Sequence, residues 1–259
     1  MAIALLAPGS ASTGEFLTRA FTDLLTGLEP VVITDPSGDA ERIATRIAAA
    51  HAHARAAGDR IALVIGMSVG AHGAAWWASR RPHHTDPPEL LVLALPAWTG
   101  PPGAAAAGTA AAVDALAQHG VAAELDRLQA LYPDDWVVAE LARAWTAMPV
   151  AELLTSLAGT ADSSAPGMAD LARIHVPTVV VALRDDPMHP IAVAREWAGA
   201  IPAAMLISLG RLEPGRDVAA FGRAVQAGLS RPRAAGGPPG TAAPGPRRPA
   251  GPPAPPAAG

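Results

Sequence analysis

The chain has 259 residues, a net charge of −4, half of its residues hydrophobic and no cysteine. That length suits one α/β domain with a sizeable core and room for an inserted subdomain, and the mild acidity argues against nucleic acid as a partner. Without cysteine there are no disulfides, thiolate metal sites or cysteine nucleophile. All 19 basic residues are arginine, and alanine, proline and glycine abound, which reads as GC-rich coding bias.

In chain order, Ala2 to Ala7 is a buried strand; lacking a positive n-region, it does not read as a signal peptide. Pro8-Gly9-Ser10 breaks it, and a helix follows with Phe16, Ala20 and Leu24 at helical spacing and Gly27 as its end. Val31 to Thr34 is the second strand, closed by Asp35-Pro36-Ser37-Gly38. A helix over 39–57 carries Ile43 and Ile47 on one face, with Gly58 as its stop. The run Ile61 to Ile65 is apolar throughout, as a strand buried on both faces requires. It turns at Gly66-Met67-Ser68-Val69-Gly70 and continues as a small-residue helix, Ala71 to Arg81. A serine with glycines two residues to either side, between such a strand and helix, fits a sharp turn that lifts the hydroxyl out of the sheet. Leu90 to Leu95 is the fourth strand.

From Ala97 to about Arg173 the chain is helical and strand-poor. Its best helix runs over 134–145, with Val137, Leu141 and Trp145 four apart as packing residues. The alternation resumes with Val176 to Leu183, a helix from Ile191 to Ala200, and a last strand, Met205 to Leu209. The closing helix shows Val218, Phe221, Val225 and Leu229 on one side. Strands alternating with helices imply right-handed crossovers and a mostly parallel sheet of about six strands, with helices on both faces. Residues 230–259 contain no Ile, Leu, Val or aromatic residue. Their four arginines and no acids put +4 on this stretch and leave −8 on the rest; it reads as a disordered tail. No apolar segment approaches a membrane span, so the expectation is a soluble, cytoplasmic protein.

The turn around Ser68, in this setting, resembles the nucleophile elbow of the α/β-hydrolase superfamily. The resemblance covers residues 1–229, starting at what would be the family's third strand. It divides the chain into a first core part (1–96), a helical cap or lid (97–173), a second core part (174–229) and the tail (230–259). In such a cap Trp98 and Trp136 would line an apolar acyl or alkyl pocket. The resemblance implies Ser68 as nucleophile and Val69 N–H as one oxyanion donor. The other donor maps to Ser10, in the loop Pro8-Gly9-Ser10-Ala11, where Pro8 replaces the family's usual histidine. The acid maps to Asp186, four residues before Pro190 in the family's Asp-x-x-x-Pro spacing, with Asp185 as the near alternative.

The family's base is a histidine after the last strand, yet that loop reads Gly210-Arg211-Leu212-Glu213-Pro214-Gly215-Arg216, and no histidine follows His189. Three readings stay open. His189 serves from the acid's own loop, although its strand lies two positions from the serine's, roughly 10 Å at the usual spacing. Alternatively His72, one helical turn beyond Ser68, is the base. In the third reading no histidine acts, and Glu213, near the vacant position, is a poor substitute at an ordinary carboxylate pKa. His51 and His53 do not share a helix face, and His83-His84-Thr85-Asp86 lacks a further ligand, so no metal is expected. The glycine-rich turns have neither phosphate-loop nor dinucleotide spacing, so no cofactor is expected. The leading expectation is hydrolysis of a small carboxylic ester or thioester by Ser68, Asp186 and His189. The alternatives are an impaired binding or scaffold protein and a non-hydrolytic enzyme on the same scaffold. Oligomeric state is not legible.

Overall fold

The computed structural model describes residues 1–10, 12–81 and 86–230. Among these, six strands form one sheet: β1 (Ala2–Ala7), β2 (Glu29–Val32), β3 (Arg60–Met67), β4 (Leu90–Ala94), β5 (Thr178–Arg184) and β6 (Ala204–Gly210). Their order is β2-β1-β3-β4-β5-β6 and every pairing is parallel. The expected α/β fold class is therefore observed, with all strands parallel. The chain leaves β1 for one edge and resumes at β3 towards the other, so the strand order reverses between β1 and β3. At such a reversal the loops leaving the two carboxyl ends diverge and open a crevice, the usual ligand position in open α/β sheets.

Side chains alternate between the two faces. Ile3, Leu5 and Ala7 join one core with α2 (Ala40–Ala56), α3 (Val69–Arg80) and α8 (Ile191–Ala200). Ala4 and Leu6 join the other, with α1 (Gly14–Ala20) and α10 (Ala220–Leu229). In β3 the alternation changes phase: Ile61 faces the first core and Leu63 the second, because pairing with β1 skips Ala62. α2 is capped by Asp39, whose side chain accepts from Arg42 N–H. β2 lies two residues earlier than the apolar run Val31 to Thr34 suggests. It is an edge strand with mostly exposed side chains, so backbone pairing with β1 sets its limits and hydrophobicity does not.

Four helices fill the stretch between β4 and β5: α4 (Ala104–Leu131, kinked at Gly120 with φ 79°), α5 (Trp136–Thr146), α6 (Val150–Asp162) and α7 (Met168–Leu171). α4, α5 and α6 share a small core of their own around Leu116, Ala144, Trp145, Leu153 and Leu157. A short helix α9 (Glu213–Arg216) follows β6. No helix among the described residues is long and apolar enough to cross a membrane. The predicted tail lies outside the described residues except for Ser230, whose N–H closes the end of α10 on Gln226.

Three backbone segments meet with no side chain between them where β3 passes into α3. A Cβ on Gly66 would lie 2.3 Å from the Gly70 carbonyl oxygen, and one on Gly70 would lie 2.0 Å from that of Ala7. Gly70→Ala should therefore cost on the order of 3 kcal/mol or more in urea unfolding, or abolish soluble expression, because only backbone stands in the way. Gly199→Ala, in α8 where a Cβ meets nothing within 4 Å, should instead stabilise by about 0.5–1 kcal/mol.

Candidate active site

Ser68 stands between β3 and α3 with φ 55° and ψ −124°. This is a costly conformation for a residue with a Cβ, and it persists only where the surroundings impose it. Its N–H donates to Ala94 of β4 (2.9 Å), and its carbonyl receives the Ala71 and His72 N–H groups of the first helical turn. The residues following β4 and β5, Leu95 and Asp185, likewise have positive φ, 55° and 63°. Three neighbouring strands are thus each followed, at their carboxyl ends, by a residue of positive φ.

The loop after β5 carries both remaining polar groups. Asp186 is buried and Asp185 is exposed, which separates the two candidates for the acid by environment. One oxygen of Asp186, Oδ1, accepts from the N–H groups of Met188 (2.9 Å) and His189 (3.3 Å); the other, Oδ2, lies 3.0 Å from His189 Nδ1. A carboxylate only accepts, so Nδ1 carries the proton and the Nε2 lone pair points away from Asp186. It points at Ser68, whose Oγ donates to it across 3.1 Å. Burial by itself raises the Asp186 pKa. The hydrogen bond and charge of His189, the Met188 N–H and the Arg211 guanidinium outweigh it and lower the carboxyl to about 2.

The structure therefore brings Ser68, Asp186 and His189 together despite the strand that separates them. The geometry of the strand ends explains how. β4 pairs with β5 only as far as Ala94 opposite Val181, whereas β5 runs three residues further beside β6, to Arg184. The loop from Asp185 starts beyond the end of β4, and His189 reaches across that end to Ser68.

Ser10 and Val69 flank the serine. Gly9 approaches so closely that a Cβ there would sit 3.1 Å from Ser68 Cβ, which draws the next residue, Ser10, to the site. Val69 opens α3, where the first N–H groups have no partner within the helix. Among the described residues neither the Ser10 nor the Val69 N–H has a hydrogen-bond acceptor.

His72 is fully buried, edge-on to Trp98 at 4.8 Å between ring centres. Its Nε2 accepts from the Ala97 N–H (3.1 Å), so it does not meet Ser68. Burial, with a smaller contribution from the charge of His189, lowers its pKa to about 3. Glu213 turns away from the serine, accepting from Gly210 N–H (2.5 Å) with Arg184 3.5 Å away. Residues 82–85, which include His83 and His84, lie outside the described residues.

A cavity of about 480 Å³ opens over Ser68, Asp186 and His189. Its floor is the sheet edge, with Met67, Leu95 and Leu183. Its walls come from α1, α4, α5 and the connection between β4 and α4, and include Phe16, Trp98, Trp136, Val137, Leu141 and Trp145. Of the residues read from the sequence as packing on α5, Trp145 and Leu141 do join the core shared with α4 and α6, and all three also border this space. In the wall, the almost fully buried Glu124 carboxylate accepts from Nε (2.8 Å) and Nη2 (2.6 Å) of Arg127.

No protein-family model matches the sequence, and no curated protein sequence matches it. Solved structures do. A hydrolase from Pseudomonas aeruginosa superposes with a TM-score of 0.64 and 23% identity, over 88% of this chain and 90% of that one. An enol-lactonase from Burkholderia xenovorans gives 0.66 and 18%, over 89% and 92%. An esterase from Thermogutta terrifontis gives 0.65 and 17%, over 88% and 89%. The chain has the α/β-hydrolase fold.

Within that fold, the loop after the last strand brings an arginine to the site. Arg211 Nη1 lies 3.3 Å from Asp186 Oδ1, and its Nη2 pairs with Asp135, the N-cap of α5. Neither contact was legible in the sequence. Arg211 and Asp135 are 76 positions apart and belong to no motif.

The lowered His72 pKa has a consequence for stability. The folded state does not take the proton that the unfolded chain binds below about pH 6.5, so stability falls with pH from there towards pH 3. Between pH 7 and pH 5 this group should remove about 2 kcal/mol of unfolding free energy. His72→Gln, which keeps an acceptor for Ala97 N–H without a titrating group, should flatten that slope in urea titrations at the two pH values. His51, also lowered by burial, is present in both proteins and cancels.

Proposed function

We propose that this protein is a serine hydrolase of small carboxylic esters or thioesters, acting through an acyl-enzyme on Ser68. The observation that carries the reading is the continuous path from Ser68 Oγ to His189 Nε2 at 3.1 Å and from His189 Nδ1 to Asp186 at 3.0 Å. In this mechanism His189 takes the Ser68 proton as Oγ attacks the acyl carbon, and Asp186 stabilises the resulting imidazolium. In this reading the oxyanion is met by the Val69 and Ser10 N–H groups, neither of which has an acceptor of its own among the described residues. His189 then protonates the leaving alcohol or thiol, and a water activated by the same ring releases the acid.

The walls favour an uncharged acyl or alkyl group. They are mostly aliphatic and aromatic, and the ionic groups among them are paired: Glu124 with Arg127, Glu140 with Arg19 and Arg143. We assign the helices over 97–173 as the lid that excludes water from this space. Likeness to an esterase and an enol-lactonase agrees with such a substrate.

The test is labelling with a fluorophosphonate and turnover of p-nitrophenyl butyrate. Wild type should label stoichiometrically, Ser68→Ala should not, and His189→Ala should lose about 10⁴–10⁶-fold in kcat. An unlabelled wild type, under conditions that label a known esterase, would remove the acyl-enzyme reading. Equal labelling of wild type and His189→Ala would remove His189 as the base.

A further inference from the structure

Asp186 has two oxygens, and the hydrogen bond to the His189 ring uses one. The other is the end point of a bridge built from distant parts of the chain. Arg211, in the loop between β6 and α9, places Nη1 3.3 Å from Asp186 Oδ1 and pairs Nη2 with Asp135. Arg211 is also held by its backbone: its carbonyl accepts from Trp136 Nε1 at 2.8 Å. Trp136 stacks on Phe16 (6.0 Å between ring centres, 15° between planes) and lies edge-on to Phe221. A Cβ on Gly215 would collide with the Trp136 side chain at 2.8 Å, so α9 and the start of α5 are in direct contact. The three ionic side chains are all largely buried, at 23%, 14% and 4% exposure for Arg211, Asp135 and Asp186.

We infer that Arg211 is a positioning residue for the hydrolytic site, fixing Asp186 at Oδ1, the oxygen that does not meet the His189 ring, and tying it through Asp135 to the first turn of α5. The inference rests on the Ser68 reading for its kinetic consequences. A guanidinium suits the task because its planar fork serves two carboxylates at once, and an ammonium offers a single point charge. With Oδ1 anchored by Arg211 as well as by its own loop, Oδ2 is presented to His189 Nδ1 and the pair is held as a unit against Ser68. The groups facing Asp186 are His189 from its own loop, the Met188 N–H, and Arg211 from the last-strand loop. Those facing Arg211 are Asp186 and Asp135. The bridge also makes the place of α5 over the cavity and the place of the carboxylate a single arrangement.

The charge has a sign. Arg211 offsets the carboxylate that favours imidazolium at His189, so removing it makes the ring easier to protonate. Arg211→Gln should move the acidic limb of kcat/KM for p-nitrophenyl butyrate to higher pH. It should also lower kcat on the order of 10–100-fold, with little change in KM, through misplacement of the pair. Arg211→Lys should restore the limb through its charge and recover only part of kcat. Asp135→Asn should lower kcat and move the limb the other way. A purely structural role would lower the melting temperature and leave the limb in place. The same shift is read without turnover by NMR titration of the His189 imidazole in Ser68→Ala, with and without Arg211→Gln, assigned by comparison with His189→Ala. An upward shift with Arg211→Gln supports the inference whatever the labelling experiment shows. An unchanged His189 titration, or an unchanged limb and kcat in a wild type that labels, overturns it. Should Arg211→Gln fail to fold, Arg211→Lys and Asp135→Asn decide the matter by the same criteria. Failure of wild type to label bears on Ser68 alone, so the two readings fail separately.

Discussion

The close approach of three backbones around Ser68 is the constraint on which the site depends. The carboxyl end of β1, the carboxyl end of β3 and the first turn of α3 pack at distances that exclude even a methyl group at Gly66 and Gly70. A larger residue at Gly66 would push α3 away from β3 and one at Gly70 would push it away from β1, the latter moving the Val69 N–H away from the Ser10 loop. The strained dihedral angles of Ser68 belong to the same packing. They are held by its hydrogen bonds to Ala94, Ala71 and His72, and the buried apolar sheet beneath carries the cost.

Around this point the electrostatics are arranged in closed groups. Asp186 is balanced by His189, two N–H groups and Arg211, and Arg211 in turn by Asp135. Glu124 and Arg127 satisfy one another in the cavity wall. Burial penalises each charge, and each has partners close enough to offset that penalty. His72 takes the other solution and stays neutral, with one nitrogen receiving Ala97 N–H. The cavity therefore presents mostly hydrocarbon to its occupant even though many ionisable side chains lie within it.

Much of the architecture was legible in the chain because β3, β4 and β5 are buried on both faces and read as unbroken apolar runs, flanked by helices with clear stops. The serine turn was legible because sterics restrict its flanks to glycine. β2 was misplaced by two residues because an exposed edge strand carries no such pattern. The meeting of His189 with Ser68 seemed unfavourable in sequence because strand order gives a lateral distance and says nothing about where each strand stops. The early end of β4 supplies the missing room, and it appears only in the pairing of Ala94 with Val181. Arg211 left no trace, since an arginine in a polar loop looks alike whether it faces water or a buried carboxylate.

Asp186 and His189 lie on one six-residue connection, bounded by the end of β5 and the start of α8. In that arrangement the relative placement of the two groups is a local matter, set by a turn in which Asp186 binds the N–H of His189 itself. It does not depend on how β6 sits against β5. Breathing at the β6 edge of the sheet would alter the distance from Arg211, and with it the placing of the pair against Ser68, without separating the imidazole from its carboxylate. The outermost strand is thereby released from carrying the imidazole itself; what its loop contributes is the Arg211 guanidinium, at the end of a long side chain that can follow small backbone shifts which a ring held against Ser68 could not.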